Sequence, residues 1–177
     1  MKSTFVILAY VTCFLSLAGC AKTEPIEIAS QNDIEAVKAY LDEGFDINTI
    51  NSNGTTMLLA ATIEGHSDLV DYLLKSGADP NLSNIQGTSP LFGASLMGFN
   101  EIVTSLLANG ANPNIRIDGI YVTPLMIAIA NNRTEVVATL LKHGVDLTIE
   151  NSEGKTAAEL VQSEEMRELF NKFASSS

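Results

Sequence analysis

The chain has 177 residues, 21 acidic side chains against 10 basic ones, a net charge of −11 at neutral pH and only two cysteines. That length supports one domain with a real core rather than two. The acidic field repels phosphate backbones, which argues against nucleic-acid binding, and it draws in a partner with a basic surface.

The first element is an apolar N-terminal stretch. Lys2 supplies a positive charge, residues 5–17 form an apolar run shorter than the ~20 residues a membrane span needs, and small residues precede Cys20. Leu17-Ala18-Gly19-Cys20 resembles the lipobox of bacterial lipoproteins. The resemblance implies removal of residues 1–19 as a signal peptide and acylation of Cys20, with residues 20–25 as a lipidated tether. The four residues Ala21 to Glu24, at about 3.5 Å per residue, hold the following domain within roughly 15 Å of the lipid surface. Ala21 after the cysteine, with no aspartate there, implies sorting to the outer membrane and an address on the periplasmic face of the bacterial envelope. Cys13 leaves with the signal and Cys20 is blocked by lipid, so no thiol remains for a disulfide, a metal or a nucleophile.

From residue 26 onward the chain repeats itself. Gly44, Gly77, Gly110 and Gly144 are spaced 33, 33 and 34 residues apart, and similar text surrounds each, as in Leu73-Leu74-Lys75-Ser76-Gly77-Ala78-Asp79-Pro80-Asn81 and Leu106-Leu107-Ala108-Asn109-Gly110-Ala111-Asn112-Pro113-Asn114. Ser89-Pro90 and Thr123-Pro124 predict helix starts, a hydroxyl at the N-cap followed by proline where a missing N–H costs nothing. These helices should end near Gly65, Gly98 and Asn132, the asparagine being tolerated in the left-handed conformation. Ser67-Asp68, Asn100-Glu101 and Thr134-Glu135 then predict second helices with a capping side chain and an acid at the positive dipole end. Leu69, Val70, Leu73 and Leu74, with Ile102, Val103, Leu106 and Leu107, mark the buried stripe of those second helices.

The period, with its Thr-Pro-Leu, Gly-His and Gly-Ala-Asp landmarks, resembles the ankyrin repeat over nearly all of residues 26–177. The resemblance implies an all-α solenoid of stacked helix-turn-helix units with β-hairpin-like connections. It divides the chain into an N-terminal cap 26–54, repeats 55–87, 88–121 and 122–154, and a C-terminal cap 155–174. The caps diverge: the first copy lacks the Thr-Pro-Leu opening and carries Gln31, Asn32, Asp33 and Glu35, and the last replaces outer-helix leucines with Glu164, Glu165, Arg167 and Glu168. The histidine that usually follows Thr-Pro-Leu is replaced by Leu59, Phe92 and Met126, so packing takes over from its hydrogen bond.

The extra residue of the 34-residue period is expected in the connection 114–123, where Asp118-Gly119 between β-branched flanks signals a type I′ hairpin. Family resemblance implies that a partner binds the hairpin fingers and the inner-helix side of the concave face. Mapped onto this chain, that face offers Ile63, Glu64, Ile85, Gln86, Leu96, Met97, Arg116, Ile120, Tyr121, Val122 and Asn131. Ile85, Leu96, Met97, Ile120 and Tyr121 should form a partly exposed apolar strip, although Leu96 and Met97 could equally fill gaps between inner helices.

No catalytic, metal or cofactor motif appears. His66 and His143 flank turn glycines, and Glu164-Glu165 are helix neighbours that point in different directions. The expected function is therefore non-catalytic: a membrane-held module, monomeric until it meets its partner, that captures an envelope or periplasmic protein as an adaptor or a toxin-neutralising inhibitor. The alternative, a small-ligand-binding protein or an envelope enzyme, would need a deep pocket lined by perturbed polar groups.

Overall fold

The computed structural model describes residues 24–174; the expected cleavage site, Cys20 and most of the tether lie outside the described residues. Four helix pairs follow one another: α1 (Pro25–Ser30) and α2 (Ile34–Asp42), α3 (Met57–Glu64) and α4 (Ser67–Lys75), α5 (Pro90–Met97) and α6 (Asn100–Ala108), α7 (Pro124–Ala130) and α8 (Thr134–Lys142). A short 3-10 turn (Ala158–Leu160) and α9 (Glu164–Ala174) close the array. Among the described residues there is no strand, only the isolated bridges Ile50 to Thr56 and Glu150 to Thr156 at finger bases. Inner helices stack in the order α1, α3, α5, α7, and outer helices in the order α4, α6, α8, α9. This is the all-α stack of helix pairs that the period implies.

The inner helices begin as their hydroxyls require. Thr56, Ser89 and Thr123 accept the backbone N–H of Leu59, Phe92 and Met126 at 3.1, 3.2 and 3.3 Å. Leu59, Phe92 and Met126, in the place of the missing histidine, are buried. The outer helices begin differently from expectation. Their N-caps are His66, Phe99 and Arg133, and none makes a side-chain cap bond; Ser67, Asn100 and Thr134 are already the first helical residues. The turn from the inner helix is so short that the outer helix starts one residue early. Asp68, Glu101 and Glu135 still occupy the first turn, where the helix dipole favours an acid.

The displaced caps serve the stacking instead. His66 Nε2 lies 2.8 Å from the carbonyl of Ser30, and Arg133 Nε donates to the carbonyl of Leu96 at 3.1 Å, each reaching the end of the preceding inner helix. Phe99, at the same place in its repeat, lies over Gly65, and Arg133 lies over Gly98. A Cβ on those glycines would come within 2.9 Å of the Phe99 ring and 2.7 Å of the Arg133 Cδ. Gly65 and Gly98 have φ of +79° and +87°, so left-handed backbone and close approach both call for glycine there. Asn132 takes the same left-handed turn at φ +53°, and so does Asn32, at φ +58°, in the N-terminal cap.

A rail of asparagines joins the repeats on the side away from these turns. The carboxamide oxygens of Asn48, Asn81 and Asn114 accept the backbone N–H of Asp79, Asn112 and Asp146 in the following repeat, at 2.9, 2.7 and 2.9 Å. Thr148, one period after Asn114, turns back on its own loop: its hydroxyl and its N–H both donate to Asp146 Oδ1. Those two bonds, the hydroxyl's first, hold the Asp146 carboxyl below its ordinary value.

The core is one continuous cluster, with Leu69, Leu73, Ile102, Leu106, Val137 and Leu140 buried along the outer helices. Leu107 is only half-buried, because α6 turns it to the edge of the stripe. Thr62 and Ser95, at equivalent places in α3 and α5, are fully buried and their hydroxyls lack a hydrogen-bond partner. A buried hydroxyl without a partner costs stability, so Thr62→Val, which keeps the shape and removes the polar atom, should raise stability by about 1 kcal/mol. Urea unfolding measures it, and a lower midpoint would show that Thr62 has a partner in solution.

Candidate functional site

Of the fingers that join the repeats, numbered 1 to 4 in chain order, fingers 1, 2 and 4 share one knot. In finger 1, Asn51 Oδ1 accepts the N–H of Asn53 and Thr55 at 2.9 and 3.0 Å, while Gly54 donates to the Asn51 carbonyl. Asn84 repeats this with Gln86, Thr88 and Gly87, and Asn151 with Glu153, Lys155 and Gly154. On the last finger Lys155 hydrogen-bonds and pairs with Glu153 at 2.8 Å, which holds that carboxyl below its usual value.

Finger 3 is built otherwise. Ile117 stands one period after Asn84 and Tyr121 one period before Gly154, so the extra residue falls between them. Ile117 donates its N–H to the Val122 carbonyl at 3.2 Å, and Tyr121 donates to the Ile117 carbonyl at 2.8 Å. The expected type I′ hairpin needs positive φ at both Asp118 and Gly119. Instead Gly119 and Tyr121 have it, at +86° and +52°, and the loop spans residues 118–121. The repeat overrides the local Asp-Gly signal, because Tyr121 must take the backbone position that glycine fills in the other fingers. The Arg116 guanidinium sits 5.0 Å from the centre of the Tyr121 ring. The Ile120 carbonyl accepts the N–H of Ser152, tying this tip to finger 4.

The residues singled out from the sequence divide in two. Ile63, Ile85, Met97, Ile120 and Tyr121 are exposed, Ile85 by 70%, and so are Glu64, Gln86, Arg116 and Asn131. Leu96 is half-buried, and Val122 packs against the core and closes finger 3 with its carbonyl. Ile50 went unnoticed: it precedes what reads as a polar turn, yet it is 58% exposed. With Glu24, Glu27 and Gln31 it lines an open groove of about 730 Å³ beside α1. A smaller groove of about 340 Å³ between fingers 2 and 3 is lined by Ile85, Gln86, Arg116 and Asp118. Among the described residues no three His, Cys, Asp or Glu side chains are placed to hold a metal ion.

Comparison with known families agrees with this architecture. A model of ankyrin repeats in three copies matches residues 26–117, and a model of ankyrin repeats in many copies matches residues 106–161. The chain belongs to the ankyrin repeat family. Comparison with curated proteins gives no match. Ankyrin repeats imply a protein-protein interaction module, and proteins of this family are typically non-catalytic.

Proposed function

We propose that this ankyrin array is held at the bacterial envelope by acylated Cys20 and captures a partner protein stoichiometrically, as an adaptor or as an inhibitor of a toxic enzyme. Cys20 at the end of a lipobox-like stretch supports the anchor, and Ala21 after it supports the periplasmic face of the outer membrane as the address. Among the described residues no helix is long and apolar enough to cross a membrane.

The observation that carries the reading is the set of exposed apolar side chains Ile63, Ile85, Met97, Ile120 and Tyr121 on an otherwise acidic array. An aromatic and a methionine among isoleucines suit a recognition surface, and the surrounding negative charge steers a basic partner toward it. Glu64, Gln86, Arg116 and Asn131 supply its polar edge, while half-buried Leu96 and Val122 hold its shape.

Cross-linking in intact membranes followed by mass spectrometry tests the reading. One protein should be recovered with the wild-type chain and lost with Tyr121→Ala combined with Met97→Glu, while thermal unfolding of the variant stays almost unchanged. Equal recovery with both chains would discard the surface.

A further inference from the structure

Finger 3 departs from the pattern that fingers 1, 2 and 4 share, and it does so at a cost. The other tips place glycine at φ of +72°, +78° and +72°, whereas finger 3 forces Tyr121 to +52°. For a bulky side chain with a Cβ this is an outlier, and glycine would occupy the position without strain. The interior gains little in return. Tyr121 is 41% exposed, and its ring stacks on the guanidinium of Arg116, which is itself exposed. Strain that the core does not require is characteristic of positions kept for contact with something outside the chain.

The tip is also held ready. Backbone bonds from Tyr121 to Ile117 and from Ser152 to Ile120 fix it on both sides, so a partner would meet an ordered ring. Beside it lies the groove between fingers 2 and 3, with Ile85 exposed on its wall. Toward the N-terminal end the exposed residues Glu24, Glu27 and Glu64 form no ion pair with any described residue, within a chain of net charge −11.

Building on the binding-module reading above, we infer that Tyr121, braced by Arg116, is the specificity-determining contact of the array. Its occupant is a polypeptide segment, apolar where it meets Tyr121 and Ile85 and rich in lysine or arginine where it runs toward α1 and α3. Charge complementarity chooses a basic segment over an acidic one, and the same negative field disfavours an anionic lipid surface.

A random peptide library displayed on phage, panned against the purified full chain in detergent, tests this. Selected peptides are then titrated by fluorescence anisotropy against wild type, Tyr121→Gly, Tyr121→Phe and Met97→Glu, with thermal unfolding of each. The peptides should combine apolar residues with lysine or arginine and weaken as salt is added. Tyr121→Gly should unfold at the same temperature or higher yet bind more than about tenfold more weakly, the loss expected of an aromatic anchor; Tyr121→Phe should bind as wild type. Undiminished binding by Tyr121→Gly, a lower unfolding temperature for it, acidic selected peptides or no selected peptide would each overturn the inference. So would Tyr121-dependent binding to phosphatidylglycerol vesicles, which would make finger 3 a membrane contact. If Met97→Glu loses binding while Tyr121→Gly keeps it, the broader surface stands and only this inference fails; if neither loses it, both fail.

Discussion

Leu106→Ala should destabilise the array by about 2–5 kcal/mol, the cost of emptying a buried leucine site that the surroundings refill only in part. Leu106 is fully buried in α6, which packs against α4 on one side and α8 on the other. A stack of this kind is stable only through each repeat and its contacts with the next, so a cavity in the middle weakens both neighbouring interfaces at once. Against a total of about 5–15 kcal/mol for a domain, that loss moves the urea midpoint far and can split one cooperative transition into two. The adjacent change Leu107→Ala, at a half-buried position, should cost clearly less. Circular dichroism during urea unfolding distinguishes the two variants, and equal midpoints would mean that the two leucines share the core equally.

That contrast shows where the sequence is legible. A stripe at i, i+1, i+4 and i+5 treats Leu106 and Leu107 alike; only the crossing of α6 with its neighbours decides which one faces inward. What repeats can be read. Four glycines spaced 33, 33 and 34 residues apart and two hydroxyl-proline pairs locate the helix ends, because each copy repeats the same local requirement and no single misreading survives the others. Asn132 could be read as a left-handed turn by its register, and Asn32 by the same register, although it looks like one more polar cap residue. The rail of Asn48, Asn81 and Asn114 is visible as recurring text, but its bonds run between repeats and therefore cannot be read within any one of them.

Where the period breaks, local chemistry misleads. Asp118-Gly119 has the composition of a two-residue hairpin, yet the neighbouring fingers fix where the chain must re-enter α7 and push the left-handed residue on to Tyr121. The outer-helix caps fail for a related reason: a hydroxyl or amide at Ser67, Asn100 or Thr134 suits an N-cap, but the short turn puts those residues inside the helix. Asn100 then uses its carboxamide oxygen to accept the Thr139 hydroxyl of α8 at 2.7 Å. The exposed face was legible in outline because alternate sides of an inner helix follow from its register. Ile50 was not, since its exposure depends on how finger 1 stands against α1.

Cys20→Ser should abolish incorporation of labelled palmitate and weaken the protein's hold on the membrane. Each methylene buried in the bilayer contributes about 0.8 kcal/mol, so one acyl chain holds a protein only marginally, whereas two or more hold it stably. Nothing described in the folded array would replace them. No helix there is long and apolar enough to cross the bilayer, and a net charge of −11 is repelled by anionic headgroups rather than drawn to them. The ankyrin array should meanwhile keep its stability, because the described core begins at Ile26, beyond the substituted position. Binding of a soluble partner measured in detergent should also survive, while capture in intact membranes should fall as the array leaves the surface where its partner is concentrated. Label retained by Cys20→Ser, or no label on the wild-type chain, would end the lipoprotein reading and leave the ankyrin module to find its partner without an anchor.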